Sequence, residues 1–366
     1  MNKKINIIDL FAGAGGLSYG FYKNKNFNIV CANEIEKDMC MTYTKNHPDI
    51  PMYNIDIKDF NPNTVLNELL KKNETVDLII GGPPCQAYST VGKRILDDPR
   101  GKLFQEYYRI VKSVMPKMFV FENVKGLLSM DKGNLIKLII SLFEELGYKV
   151  KFKVLNSLDY GVPQSRERVI LVGNRLKSEY YFPEPTHSNN QEDNLRQHLT
   201  LSDAISDLPK LGNAQTSTKY SSEPHNEYQQ KLRIESDTLT EHTSPKNNDN
   251  LIALMKALPD GGTPLDVSEH LRPKSGFKNT YCRLWWDKPA TTITRNFSTP
   301  SSSRCIHPID PRPLTAREAA RLQSFPDNYI FVGSKTSKNL QIGNAVPVIL
   351  SEFLATSILK VFNSEK

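Results

Sequence analysis

Val76-Asp77-Leu78-Ile79-Ile80-Gly81-Gly82-Pro83-Pro84-Cys85-Gln86-Ala87-Tyr88-Ser89 is a short apolar run broken by two glycines and two prolines. Residues 76–80 read as a buried parallel strand. Proline has no amide for the ladder and fixes φ, so the strand stops and hands Cys85 to a rigid turn. In an open α/β sheet, ligands bind just past the carboxyl ends of the strands. Free cysteine is commonly a small buried hydrophobe. Behind a Pro-Pro stop at a strand end, Cys85 is instead a candidate nucleophile.

Upstream, the chain alternates strands and helices. Residues 5–10 are a short apolar strand, followed by Phe11-Ala12-Gly13-Ala14-Gly15-Gly16 and a helix starting at Leu17. Glycines let backbone amides approach a ligand closely, and a helix start favours partial negative charge. Ser18 stands where the third glycine of a dinucleotide fingerprint would fall, which argues against a nicotinamide site. A second strand, 27–32, leads to Asn33-Glu34, where an acid is placed to accept ribose hydroxyls. A helix at 38–45 and a strand at 52–55 follow. Asp56 then either meets an adenine amino group or caps a turn.

Downstream of Cys85, residues 86–101 are polar and contain Lys93, Arg94 and Arg100. This stretch reads as a basic lid over a polyanion or as an ordinary surface loop. A helix at 103–114 precedes a strand at 117–121 that ends in Glu122-Asn123-Val124. That strand should neighbour the one before Cys85, bringing Glu122 near the thiol. An apolar helix, 135–146, stops at Gly147, and 148–155 with 168–172 form a hairpin. Arg166 and Arg168, two apart in an extended segment, are expected on one face, where they either sit on a solvated strand edge or hold a carbonyl oxygen or phosphate.

From 183 to about 279 the chain becomes rich in Asn, Ser, Thr, Gln and Pro, which marks a separate, loop-rich region. Residues 280–300 interleave Arg283, Trp285, Trp286, Arg295 and Phe297 with threonines, which suits nucleic acid contact or a small β core. Thr315 is a cap for a helix at 316–323, and an apolar helix reaching about 361 returns to the first domain.

The chain has 366 residues, enough for two domains, and a formal net charge of +7, which is compatible with a polyanionic partner. No apolar run approaches a membrane span and no signal segment precedes residue 5, so a cytoplasmic protein with no membrane partner is expected. The five cysteines form no CxxC pair and the seven histidines no HxH or HxxxH pair, which argues against a disulfide framework and a metal site.

Together these stretches resemble the DNA (cytosine-5)-methyltransferase family in its bacterial, restriction-modification form. The resemblance rests on DLFAGAGG at 9–16, GGPPCQAYS at 81–89, FENV at 121–124 and QSRERV at 164–169. It continues through LTAREAARLQSFPD at 314–327 and IGNAVP at 342–347. It implies an α/β fold: a Rossmann-like, S-adenosylmethionine-binding catalytic domain (1–182 plus 338–366) and a smaller, loop-rich target-recognition domain (183–337). By the same resemblance, Phe11, Ala12, Gly13, Gly15, Gly16 and Leu17 would hold the methionine part of the cofactor and Glu34 its ribose. Asp56 and Ile57 would hold the adenine, with Pro83, Leu103, Asn344, Ala345 and Val346 completing the pocket. Cys85 would attack carbon 6 of cytosine, Glu122 would act at ring nitrogen 3, and Arg168, supported by Arg166, would anchor the base's carbonyl. Gln86, Ser89 and Arg100 would contact the DNA. The implied partners are double-stranded DNA, with the target base flipped out, and a cognate restriction endonuclease; the enzyme is expected to act as a monomer. Two alternatives stay open, a transfer-RNA cytosine-5 methyltransferase and a catalytically inactive DNA-binding regulator.

Overall fold

The computed structural model describes residues 3–71, 74–84, 102–274 and 276–365. Cys85, Gln86, Ser89 and Arg100, with the expected lid at 86–101, lie outside the described residues. The chain divides into two compact units. The first comprises Met1–Asn156, Glu167–Glu184 and Leu350–Lys366, and the second Ser157–Arg166 and Pro185–Ile349. This differs from the expected boundaries at 157–166 and 338–349, which fall in the second unit, and at 183–184, which fall in the first.

In the first unit, seven strands among the described residues form one sheet in the order β3-β2-β1-β4-β5-β7-β6. They are β1 (Ile5–Leu10), β2 (Phe27–Asn33), β3 (Met52–Tyr53), β4 (Leu78–Gly81), β5 (Met118–Val124), β6 (Lys149–Asn156) and β7 (Glu167–Asn174). Strands β1 to β5 pair in parallel, and β7 runs antiparallel to both of its neighbours. The chain winds outward from β1 through β2 to β3, then returns to lay β4 on the other side of β1. That reversal is where an open α/β sheet leaves a crevice for a ligand.

Every residue of β1 and β4 is buried, as expected where helices cover both faces of a parallel sheet. Ile8, Leu10, Ile79, Phe119 and Phe121 pack with Tyr107 and Phe143 from two helices, α4 (Lys102–Val114) and α5 (Asn134–Glu145). Burying each such side chain contributes roughly 1.5–3 kcal/mol. Strand β3 is shorter than the expected 52–55. The carbonyls of Tyr53 and Ile55 both accept from the Asn33 side-chain amide, at 3.1 and 3.0 Å.

Among its described residues the second unit has isolated bridges in place of a sheet, such as Arg283 with Ile306 and Gln164 with Ala290. A small apolar cluster contains Leu254, Met255, Leu258, Val267 and Ile306. Buried ion pairs hold much of the rest. Arg321 pairs with Asp207 and Asp327 (2.5 and 2.6 Å), and Arg312 with Asp310 and Glu318 (2.9 and 2.7 Å). The cap expected at Thr315 is present: its hydroxyl accepts from the Glu318 amide, and the Glu318 carboxylate accepts from the Thr315 amide.

One stretch departs from the reading that no segment is long and apolar enough to cross a membrane, because Lys335–Ser364 passes that test. Two thirds of its most apolar window is buried within the protein. It also consists of two helices, Lys335–Asn344 and Val348–Ser364, parted at Pro347.

Candidate active site

The first part of the site is the turn between β1 and the helix α1 (Gly16–Tyr22). Gly13 and Gly15 have φ of +57° and +92°, the left-handed region glycine adopts without strain, and Phe11 is held at +54°. A Cβ on Gly13 would meet nothing within 4 Å, so the turn opens onto free space. Across from it, Glu34 follows the end of β2. Its carboxylate accepts the Gly13 amide at 2.9 Å and the Ile35 and Glu36 amides at 2.8 and 3.0 Å. Burial pushes this carboxyl up, and the three amides pull it back. The fold therefore brings the glycine turn and Glu34 together through the Gly13 amide, and the turn leaves open space beside them.

Residues with no role assigned from the sequence complete this edge. Ile35, next to Glu34, is 59% exposed. The Asn54 amide donates to the Glu34 and Ile35 carbonyls at 3.0 and 2.8 Å, which fixes the acid's backbone. Beneath the turn, Asp9 is fully buried, and its carboxyl is raised to about 7 by burial, with the Ser18 and Tyr43 hydroxyls beside it. Only its place at the end of an apolar strand could have singled it out.

Of the adenine candidates, Asp56 closes a turn: its carboxylate accepts the Lys58 amide at 3.0 Å and lies 3.3 Å from the Lys58 ammonium. Ile57 points into the core, and its carbonyl accepts from Arg109. Pro83 is buried and Leu103 packs partly against the core. Asn344 is exposed at the end of its helix; with Ala345 and Val346 it belongs to the second unit.

The second part of the site lies at the ends of β4 and β5. The two pair in parallel from Leu78↔Met118 to Gly81↔Phe121, which brings Gly82 beside Glu122. A Cβ on Gly82 would sit 2.7 Å from Glu122 Oε2, so only glycine lets the carboxylate this close. The Asn123 amide donates to the Pro83 carbonyl at 3.0 Å, tying the Pro-Pro segment to β5. Arg168, opposite Val124 on β7, reaches Glu122 with Nε to Oε1 at 2.9 Å, and both side chains are largely buried. The guanidinium also donates through Nη1 to the Glu167 carbonyl, and Nη2 is the nitrogen that makes none of the described bonds.

Arg166 does not share that face. Strand β7 begins at Glu167, so the two-residue alternation does not extend back to Arg166, which belongs to the second unit. There it is 0% exposed and donates to the Ile293 and Gly343 carbonyls at 2.8 and 2.9 Å. It clamps backbone and cannot present its guanidinium to a base. Arg283 likewise donates to the His307 and Pro308 carbonyls, and Phe297 is buried, so this part of 280–300 is core.

Cys31, Cys40, Cys282 and Cys305 are free and buried. Burial pushes Cys31, Cys40 and Cys305 up to about 12 and raises Cys282 as well. A thiol kept protonated is a poor nucleophile, so none of these four is equipped for covalent chemistry.

The model of the C-5 cytosine-specific DNA methylase family matches residues 5–360. The Type II methyltransferase M1.HphI of Haemophilus parahaemolyticus is 36% identical over 99% of this chain and 88% of its own. M.DdeI of Desulfomicrobium norvegicum is 38% identical over 98% and 90%. A crystal structure assigned to a prophage-encoded DNA modification methyltransferase of E. coli superposes with a TM-score of 0.79 at 25% identity, covering 98% of this chain and 100% of that one. The fold is shared with the S. pombe Dnmt2 methyltransferase, with a TM-score of 0.61, 18% identity, and 98% and 100% coverage. With an open glycine turn facing an acid, a carboxylate–guanidinium pair beside the Pro-Pro stop, and a match along nearly its whole length, the chain belongs to the C-5 cytosine-specific DNA methylase family.

Proposed function

We propose that the chain transfers a methyl group from S-adenosylmethionine to carbon 5 of a cytosine flipped out of duplex DNA, through a transient bond to Cys85. The observation that carries this reading is the Glu122–Arg168 pair beside Gly82 and Pro83, two residues before Cys85 in the chain. A stacked base cannot reach a strand end, so the target must leave the helix at a cost of a few kcal/mol. Gln86, Ser89 and Arg100 would contact the DNA around it.

Carbon 5 of cytosine is a poor nucleophile because its electrons belong to an aromatic ring. The Cys85 thiolate adds its electron pair to carbon 6, and the ring's 5,6 π pair becomes available at carbon 5. Glu122, oriented by Arg168, donates a proton or hydrogen bond at ring nitrogen 3, where negative charge would otherwise build up. Arg168 Nη2 is the donor for the base's carbonyl oxygen. Bound at the glycine turn, with Glu34 on its ribose, S-adenosylmethionine supplies an electrophilic methyl whose departure leaves a neutral thioether. Loss of the carbon 5 proton then restores the double bond and expels the Cys85 thiolate. Phe11, Ala12, Gly13, Gly15, Gly16 and Leu17 would hold the methionine end, and Asn344, Ala345 and Val346 of the second unit would be further contacts to the cofactor. Since the curated relatives are Type II methyltransferases, the modified base would protect DNA against an endonuclease that cuts the same sequence.

Duplex carrying 5-fluorocytosine tests the covalent step, because fluorine cannot leave as a proton does. A denaturant-resistant protein–DNA adduct is expected with the native chain and none with Cys85→Ala. If the native protein methylates a duplex but traps none of its fluorinated form, the covalent route is wrong. Tritium transfer from labelled cofactor to duplex DNA, and not to transfer RNA, checks the substrate.

A further inference from the structure

Charge is divided sharply along the second unit. Residues 185–269 contain thirteen acidic side chains against seven Lys or Arg. Residues 270–305 contain seven Lys or Arg and one acid, Asp287. The polar stretch expected to face the target is therefore net acidic over most of its length and would repel a polyphosphate. The attraction is concentrated in the short segment that follows.

Within that segment, Arg272, Lys274, Lys278, Lys288 and Arg295 are exposed, and among the described residues none of them is ion-paired. Among them stands Phe277, 87% exposed, the most exposed large hydrophobe described. A single exposed apolar residue is ordinary; this one sits on a hydrogen-bonded turn. The Phe277 carbonyl accepts from both the amide and the hydroxyl of buried Thr280, at 3.0 and 2.8 Å. The next amide, Tyr281, donates to the Pro300 carbonyl at 2.6 Å, which fastens the turn to the loop carrying Arg295. A hydrogen-bonded turn that exposes an aromatic ring, with exposed lysines on either side of it in the chain, suits a partner both polyanionic and apolar at its edges. Duplex DNA is such a partner, since its major groove offers thymine methyl groups between two phosphate rows.

We infer that the turn at 276–280 reads the target duplex, with Phe277 as a specificity-determining contact to a base edge and Lys274 and Lys278 on the flanking phosphates. The inference rests on the DNA methyltransferase reading and assigns the reading of sequence to particular residues. Phosphate contacts position a protein without sequence preference, whereas groove contacts discriminate. The two kinds of residue therefore have separable effects.

The test is methylation of the preferred duplex and of all its single-base-pair variants, with the salt dependence of duplex binding measured alongside. Phe277→Ala should leave Tm unchanged and lower discrimination at one base pair by about tenfold. Lys274→Ala with Lys278→Ala should weaken all duplexes alike and reduce the log–log salt slope by about two. Glu192→Gln with Glu223→Gln, on the acidic stretch, should change neither quantity. Unchanged discrimination at every position in Phe277→Ala, or an unchanged slope in the lysine variant, overturns the inference. A native protein that methylates no duplex at all overturns the parent reading as well, so the two failures are distinguishable.

Discussion

Arg166 and Arg168 are two residues apart in one motif and have unrelated tasks. Arg168 holds Glu122, whereas Arg166 is a buried tie between two backbone carbonyls of the second unit. Arg168→Ala removes the ion-pair partner of the Glu122 carboxylate and, on the proposed mechanism, a donor to the base. Turnover should fall by roughly 10²–10³-fold, the loss typical of one removed oxyanion donor, while cofactor affinity stays near the native value. Single-turnover methylation with equilibrium dialysis of the cofactor checks both halves. Arg166→Ala should instead appear as lost stability, because it leaves two buried carbonyls without donors.

At the scale of elements, the glycine turn is useful only because α1 is fixed against the last helix, Val348–Ser364. The Ser351 hydroxyl donates to the Leu17 carbonyl, and a methyl on Gly20 would overlap the Ser351–Glu352 peptide. Gly20→Ala should therefore force the helices apart at a cost of about 1–3 kcal/mol, read as a lower urea midpoint. Its affinity for cofactor should fall with the displacement of the turn, which isothermal titration would register. Most of these elements could be placed from their apolar runs and punctuation: β1, β2, β4, β5 and the hairpin all lie where expected. The helix Pro62–Leu69 lies outside those runs but has a strong start in Asn61-Pro62, with Asn61 accepting the Asn63 and Thr64 amides.

For the whole molecule, buried titratable groups set opposing trends with pH. Asp9 titrates at about 7 in the fold against an ordinary 3.8. Unfolding therefore releases its proton between about pH 4 and 7, and this group's contribution to stability falls as pH rises through that window. His47 behaves oppositely: burial lowers it from 6.5 to about 4, so the unfolded chain gains a proton below 6.5 and stability is lost on acidification. Asp9 thus offsets part of the acid destabilisation. Asp9→Asn should be more stable than the native protein at pH 8, by on the order of 2 kcal/mol, with much of the gain gone at pH 5. Urea midpoints at the two pH values measure this, and an unchanged difference between native and variant would mean Asp9 is already ionised in the fold.

The order of strands and helices, the Pro-Pro stop before Cys85, the open glycine turn and the acid after β2 were all legible in the chain. Each depends on local rules: apolar periodicity, proline's missing amide and glycine's freedom at positive φ. What tertiary structure decided was the fate of the charges. Identical guanidinium groups became a partner of Glu122 at 168, a backbone clamp at 166 and 283, and an exposed cation at 295. Burial and the partners available differ at each place, and both depend on residues far away in sequence, which no local pattern contains.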